Sequence, residues 1–246
     1  MALDFICTSN RGYDYFGCTE KLDGRNYIPS DFGKYQIILT KNFNFIPKIF
    51  ACTDSQRRGE KILSHIIPVG KDNANRPGNF LAHHLVIEKD ELLSSCGGPA
   101  WLLKKRAFCQ QWETGKSKEQ YKKTVIQPND YLKIDPAHTW RDLLYDNWQS
   151  QLQSVIETIG DPKKKCIILF DKEKHSSELI LDLFYEALSW VEPEKRWNVT
   201  FSSYAIEPLK SLGWQWIGVD RTDEISKRIF LSNNPIIIEL PLTSNN

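Results

Sequence analysis

Eight apolar residues recur at spacings of three and four between Trp140 and Ile159: Trp140, Leu143, Leu144, Trp148, Leu152, Val155, Ile156 and Ile159. That spacing predicts one long helix with a single apolar stripe, which must lie against a core built by other elements. Thr139 is placed to cap its start, and Gly160 with Pro162 to end it.

The N-terminal part has a different rhythm. Leu3–Cys7, Tyr35–Thr40, Ile46–Cys52, Lys61–Val69 and Asn79–Ile87 are short runs rich in Ile, Phe, Leu and Val. Turn residues separate them at Asn10-Arg11-Gly12, Asp23-Gly24, Arg58-Gly59 and Arg76-Pro77-Gly78. Short apolar runs punctuated in this way predict a mainly antiparallel sheet. Gly97-Gly98-Pro99 reads as a turn into a short helix over Ala100–Phe108, since proline suits the first helical position. Gln127-Pro128-Asn129-Asp130 reads as a loop.

Beyond the long helix, the sequence predicts a strand at Cys166–Phe170 and a helix over Glu178–Val191, capped by Ser176 or Ser177. Strands follow at Trp197–Tyr204 and Trp214–Val219, then a weaker helix over Glu224–Leu231 and a last strand at Ile236–Leu240. The order strand-helix-strand-strand-helix-strand fits a ferredoxin-like split unit or a small open α/β sheet. The expected fold class is therefore α+β. A mainly antiparallel β-rich lobe over residues 1–127 packs on an α/β lobe over residues 128–246, unless the two form one continuous domain.

A chain of 246 residues can bury roughly 70–75% of its unfolded surface, so neither disulfides nor metals are needed for stability. With 32 basic and 31 acidic residues, the net charge of +1 gives no global drive towards nucleic acid or an acidic membrane. The N-terminus lacks a basic leader, and no run approaches the roughly 18 apolar residues of a membrane span. The expected location is the cytoplasm. None of Cys7, Cys18, Cys52, Cys96, Cys109 and Cys166 forms a Cys-x-x-Cys pair, and most read as small buried apolar residues.

Candidate chemistry is sparse. His83-His84 lies within an expected strand, where neighbours point to opposite faces, so the two rings do not converge on one ligand. His65 on another strand could approach one of them. The expectation is a hydrogen-bonded structural pair, with no metal, no cofactor and no catalytic residue. A cryptic hydrolase centred on His83 or His84, with Cys52 or Cys7 as nucleophile, is the enzymatic alternative. No phosphate-binding loop or dinucleotide fingerprint is present.

Between Lys104 and Lys123 stand seven basic residues against two acidic ones, with Trp112 and Tyr121 interleaved. Aromatic rings beside cations can stack on single-stranded bases, so a nucleic-acid-binding accessory protein is the second alternative. Trp148 and Trp190 are expected in the core. Trp214 and Trp216 share one face of a strand, where they either cap the core or form an aromatic surface.

Several blocks resemble one family in order along the chain. They are Cys7 to Gly12, Gly17 to Thr19, Leu63 to His65, Arg76 to Val86, Gly97 to Leu103, Cys166 to Asp171, Pro193 to Tyr204 and Trp214 to Val219. Together, over roughly residues 3 to 240, they resemble the N-terminal domain, type two, of the bacterial GTPase-associated proteins of predicted conflict and defence systems. There the domain leads a longer protein.

The resemblance implies a non-enzymatic scaffold or adaptor in an antiviral defence assembly, with a CRISPR accessory subunit as one setting. The implied partner is another protein of the same gene cluster: a GTPase, a protease-coupled effector or a regulator. No catalytic residue carries over. The interface candidates are Arg11, Arg76, Lys104, Lys105, Arg106, Lys122 and Lys123 as a charged rim, with Trp214 and Trp216 as anchors if exposed.

Overall fold

The computed structural model describes residues 2–9, 13–18, 48–55, 59–70, 79–87, 97–105, 108, 119–120, 138–205, 213–222 and 234–242. The expected strand at Tyr35–Thr40, the helix at Glu224–Leu231 and the loop at Gln127–Asp130 lie outside these residues. So does the proposed lobe boundary at residue 127.

Five strands open the chain: β1 (Ala2–Ser9), β2 (Tyr13–Cys18), β3 (Ile49–Asp54), β4 (Lys61–Gly70) and β5 (Asn79–Ile87). Helix α1 (Gly98–Lys105) and the two-residue β6 (Glu119–Gln120) follow. Then come α2 (Thr139–Leu144), α3 (Trp148–Ile156), β7 (Cys166–Phe170), α4 (Ser177–Ser189), β8 (Phe201–Ser202), β9 (Trp216–Asp220) and β10 (Ile236–Glu239).

The ten described strands form one sheet in the order β10-β7-β9-β8-β3-β4-β5-β1-β2-β6. From β8 through β3, β4, β5 and β1 to β2, every pairing is antiparallel. From β8 through β9 and β7 to β10, every pairing is parallel. The α+β class expected from the sequence is the class observed. The C-terminal strands take the open α/β arrangement rather than the ferredoxin-like one, since all four run parallel. The two halves meet edge to edge through the β3–β8 pairing, so one sheet crosses both.

The apolar runs explain this arrangement. Every residue of β7 and β9 is buried, as expected for parallel strands covered on both faces. Helix α4 lies across the joint, with the Phe184 ring 5.2 Å from Phe201 and 5.6 Å from Trp216. Ser176 caps it by accepting the Leu179 N–H at 3.2 Å, as the sequence suggested. Helix α1 packs on α4, β3 and β4. Its entry requires Gly98, whose φ of 77° no side-chain-bearing residue adopts easily.

The single long helix expected from Trp140 to Ile159 is broken. A 3-10 turn, Tyr145–Asn147, separates α2 from α3, and Tyr145 has a φ of 48°. The stripe keeps its apolar contacts across the break: Trp140, Leu152 and Val155 are buried, while Leu143, Leu144, Trp148, Ile156 and Ile159 pack at the margin of the core. Thr139 is not the cap. Instead Glu186 of α4 accepts the Trp140 N–H at 3.0 Å, and the Trp140 indole donates to the Leu183 carbonyl at 2.8 Å. The expected strand Trp197–Tyr204 shortens to Phe201–Ser202, because only those residues find partners on both sides. Strand β2 was not anticipated, its Gly17 having masked the pattern.

Leu152 is buried, but α3 packs on α4 and β10 rather than between two lobes. Leu152→Ala is expected to lower stability by about 2–5 kcal/mol, through lost apolar transfer and the cavity left behind, measured by urea unfolding. Gly218 of β9 faces a tighter constraint. A Cβ there would stand 2.2 Å from the Ser203 carbonyl oxygen and 3.0 Å from Ile180. Gly218→Ala is expected to cost about 1–3 kcal/mol by overpacking, read from the same denaturation curves.

Candidate functional site

The histidines sit at the centre of the antiparallel half. Register places His65 of β4 opposite His83 of β5, and Ser64 opposite His84. Strand alternation therefore puts His65 and His83 on one face and His84 on the other, as the sequence pattern predicted. All three are buried. The His65 ring stacks on Phe50 at 4.9 Å and lies 5.2 Å from Phe108, while His83 meets Phe108 edge-on at 5.1 Å. The His84 Nδ1 is 2.8 Å from the Ser64 hydroxyl.

Burial pushes His65 down to about 4, with the Lys48 and His83 charges lowering it further and Glu178 opposing them. Burial also pushes His84 down to about 3, helped by His83. Both are neutral imidazoles near pH 7 and poor bases there. The Cys52 thiol is buried, pushed up to about 12 by desolvation, and donates to the Val199 carbonyl at 3.8 Å. A thiol held protonated in this way is a weak nucleophile. Among the described residues, no group of three or more His, Cys, Asp or Glu side chains converges as a metal site would require.

The rim and anchor candidates distribute unevenly. Arg11, Arg76, Arg106, Lys122 and Lys123 lie outside the described residues. Lys105 is exposed at the end of α1. Lys104 is not a free rim charge: its ammonium is 2.5 Å from Asp182 of α4 and 4.8 Å above the Tyr185 ring. The two tryptophan anchors fail their condition of exposure. Trp214 and Trp216 are 5% and 0% exposed, and the Trp216 indole donates to the Thr158 hydroxyl at 2.7 Å. Trp216 opens β9, which is interior to the sheet and lies under α4, and Trp214 stands just before that strand; both rings belong to the core. Trp190, expected in the core, is 63% exposed where α4 ends.

Sequence reasoning missed a second polar cluster at the carboxyl ends of β7 and β9. Asp220, the last residue of β9, is fully buried, and Lys172 reaches it from the loop after β7 at 2.8 Å. The Thr222 hydroxyl donates to the same oxygen at 2.8 Å, and the Thr222 N–H donates to the other at 3.1 Å. Burial alone would raise the Asp220 carboxyl, but Lys172 and Thr222 outweigh it and hold the group below the usual range. Arg221 donates to the Leu240 carbonyl at 2.6 Å, and His175 is buried beside Asp171 and Arg221. The signal was present in the sequence: two apolar runs each end directly in aspartate, at Asp171 and Asp220. Apolar parallel strands bring such ends to one edge.

Residues 41–124 match the model of GTPase-associated protein 1, N-terminal domain type 2. The resemblance read along the sequence is borne out over this segment, about a third of the chain. The matched segment contains β3, β4, β5, α1 and β6, hence the histidine pair, Lys104 and Lys105. The Asp220 cluster lies beyond it. A search of the curated proteins finds no match.

The depressed histidines set a pH dependence. An unfolded chain protonates His65 and His84 near 6.5, while the folded one resists until about 4 and 3. The unfolded state therefore binds more protons between those values, and stability is full above about pH 6.5 and falls as pH falls. Urea midpoints are expected to drop from pH 7 to about pH 5, above the range where carboxylates titrate. His65→Phe, which keeps a ring between Phe50 and Phe108, is expected to flatten part of that slope. An unchanged slope would mean that His65 is accessible to protons in the folded state.

Proposed function

We propose that this chain is an accessory module that binds a GTPase-related protein and performs no chemistry of its own. The observation that carries this reading is the match of residues 41–124 to a GTPase-associated domain. The interior of that segment supports it. Its His65 and His84 are spent on packing and on one hydrogen bond to Ser64, in environments that suppress proton transfer near neutral pH. The finer setting we propose is a bacterial conflict or antiviral assembly, in which this chain is a cytoplasmic adaptor to an effector encoded beside it.

Trp190 takes the anchor role once assigned to Trp214 and Trp216. A tryptophan exposed to this degree offers a large rigid surface of the kind that dominates interface energies. Glu192, Glu194 and Lys195 follow it as exposed charges suited to steering encounter. Lys105 is the described basic residue suited to the rim.

The test is co-purification of the tagged chain with the GTPases of its native host, using wild type, Trp190→Ala and Lys105→Glu. A GTPase is expected to be retained by wild type. Trp190→Ala is expected to weaken that complex by about tenfold or more, with an unchanged melting temperature. Lys105→Glu is expected to slow association chiefly at low salt. GTP or peptide turnover by the isolated chain, abolished by His84→Ala, would replace this reading with the hydrolase. Salt-sensitive binding of single-stranded nucleic acid, with no protein retained, would replace it with the nucleic-acid accessory.

A further inference from the structure

Strand β10 stands at the end of the sheet, beside β7. The Ile236 N–H donates to the Lys165 carbonyl just before β7, and the Leu240 N–H to the Leu169 carbonyl, each at 2.9 Å. Backbone groups alternate in direction along a strand, so Ile237 and Glu239 turn their N–H and C=O away from β7. Among the described residues, nothing pairs with these outward groups. Glu239 is exposed, and Ile236 and Ile237 are half-buried.

Proteins that keep such an edge unpaired place lysine, proline or a bulge along it. The strand here reads Ile-Ile-Ile-Glu and carries none of these. The nearest prolines, Pro235 and Pro241, stand just outside it. By alternation they continue the outward positions of Ile237 and Glu239, where a proline removes a donor. They confine pairing to the strand itself and leave Ile237 and Glu239 open.

This pattern is self-complementary. A second β10 laid antiparallel, about a twofold axis through Ile238, sets Ile237 opposite Glu239 of the other copy on both sides of the axis. Each such pair exchanges two hydrogen bonds, so every open N–H meets an open C=O. Pro235 then lies opposite Pro241 of the other copy, and a missing donor faces a missing donor. Ile238 lies opposite its own copy, and Ile236 opposite Leu240, so the cross-strand neighbours there are apolar. Other axes fit worse. Through Ile237, the Glu239 carbonyl would face Pro235, which has no N–H. Through Glu239, two carboxylates would stand side by side.

We propose that the free edge of β10 is a docking site for a second copy of this chain, which joins two sheets into one across a twofold axis at Ile238. This contact is separate from the Trp190 surface and does not depend on it.

The experiment measures the mass of the intact chain by analytical ultracentrifugation over rising concentration. A monomer–dimer equilibrium is expected. Ile237→Pro removes an outward N–H that the described fold does not use, so the melting temperature of the dilute monomer is expected to stay near that of wild type. The dimer is expected to weaken by about tenfold or more, since symmetry deletes the bond twice. The register has its own test. The double variant Ile237→Cys, Glu239→Cys is expected to form a disulfide-linked dimer under mild oxidation. Neither single variant is expected to do so, because like positions sit diagonally across the axis, beyond disulfide reach. A wild-type chain that stays monomeric at every concentration overturns the proposal, and is the result if an extended segment of a different protein occupies the edge. A dimer that Ile237→Pro leaves intact overturns it as well. If that variant does not fold, failure of the double variant to cross-link overturns the proposal in its place.

Discussion

The two residues of β8 decide whether this chain has one sheet or two. Phe201 and Ser202 pair with Trp216 and Ile217 in parallel on one side, and with Cys52 and Ala51 antiparallel on the other. The join continues for one more residue. The Ser203 N–H donates to the Phe50 carbonyl at 2.8 Å, and the Ser203 hydroxyl accepts the Phe50 N–H at 2.9 Å. So short a strand is not stable by backbone pairing alone. It is held because the Phe201 side chain is buried against Phe184 of α4, which rests on the sheet at this line.

Helix α4 is consequently the element on which the others are referenced. Lys48 before β3 reaches Glu178 in its first turn at 2.6 Å, and Lys104 of α1 reaches Asp182 one turn later. Both pairs are partly exposed, so they set register more than they add stability. Further along, Glu186 is buried, and desolvation raises its carboxyl despite the N–H groups of Trp140 and Thr139 that it accepts. A carboxylate supplied by one helix thus closes the amino end of another. This substitutes for a local cap that His138 does not provide.

The polar residues of the interior follow two different designs. In the antiparallel half, His65 and His83 are enclosed by aromatic rings and act as packing groups. In the parallel half, Lys172, Asp220 and Thr222 form a connected network at a strand edge, and Arg221 next in sequence is held by the Leu240 carbonyl. The first arrangement keeps His65 neutral, and the second holds charges in fixed positions at the strand ends. The segment related to the GTPase-associated domain contains the first and not the second.

Local pattern was enough to place β1, β3, β4, β5, β7, β9 and β10, helices α1 and α4, the Ser176 cap and the opposite facing of His83 and His84. Each follows from a period, a turn residue or a capping residue within a few positions. Local pattern also established the apolar stripe from Trp140 to Ile159, but not its interruption at Tyr145. Either a straight helix or a broken one keeps those side chains inside. It gave the class of the fold without the joint at β8, because which strands become neighbours is settled by pairing across some 150 residues. The tryptophans separate the two levels most clearly. Trp190 lies at the end of an apolar helix, so sequence alone assigns it to the core, while for Trp214 it leaves core and surface both open. Only the tertiary structure, by ending α4 before Trp190 and by setting Trp214 in the core cluster, leaves the first ring in water and buries the second.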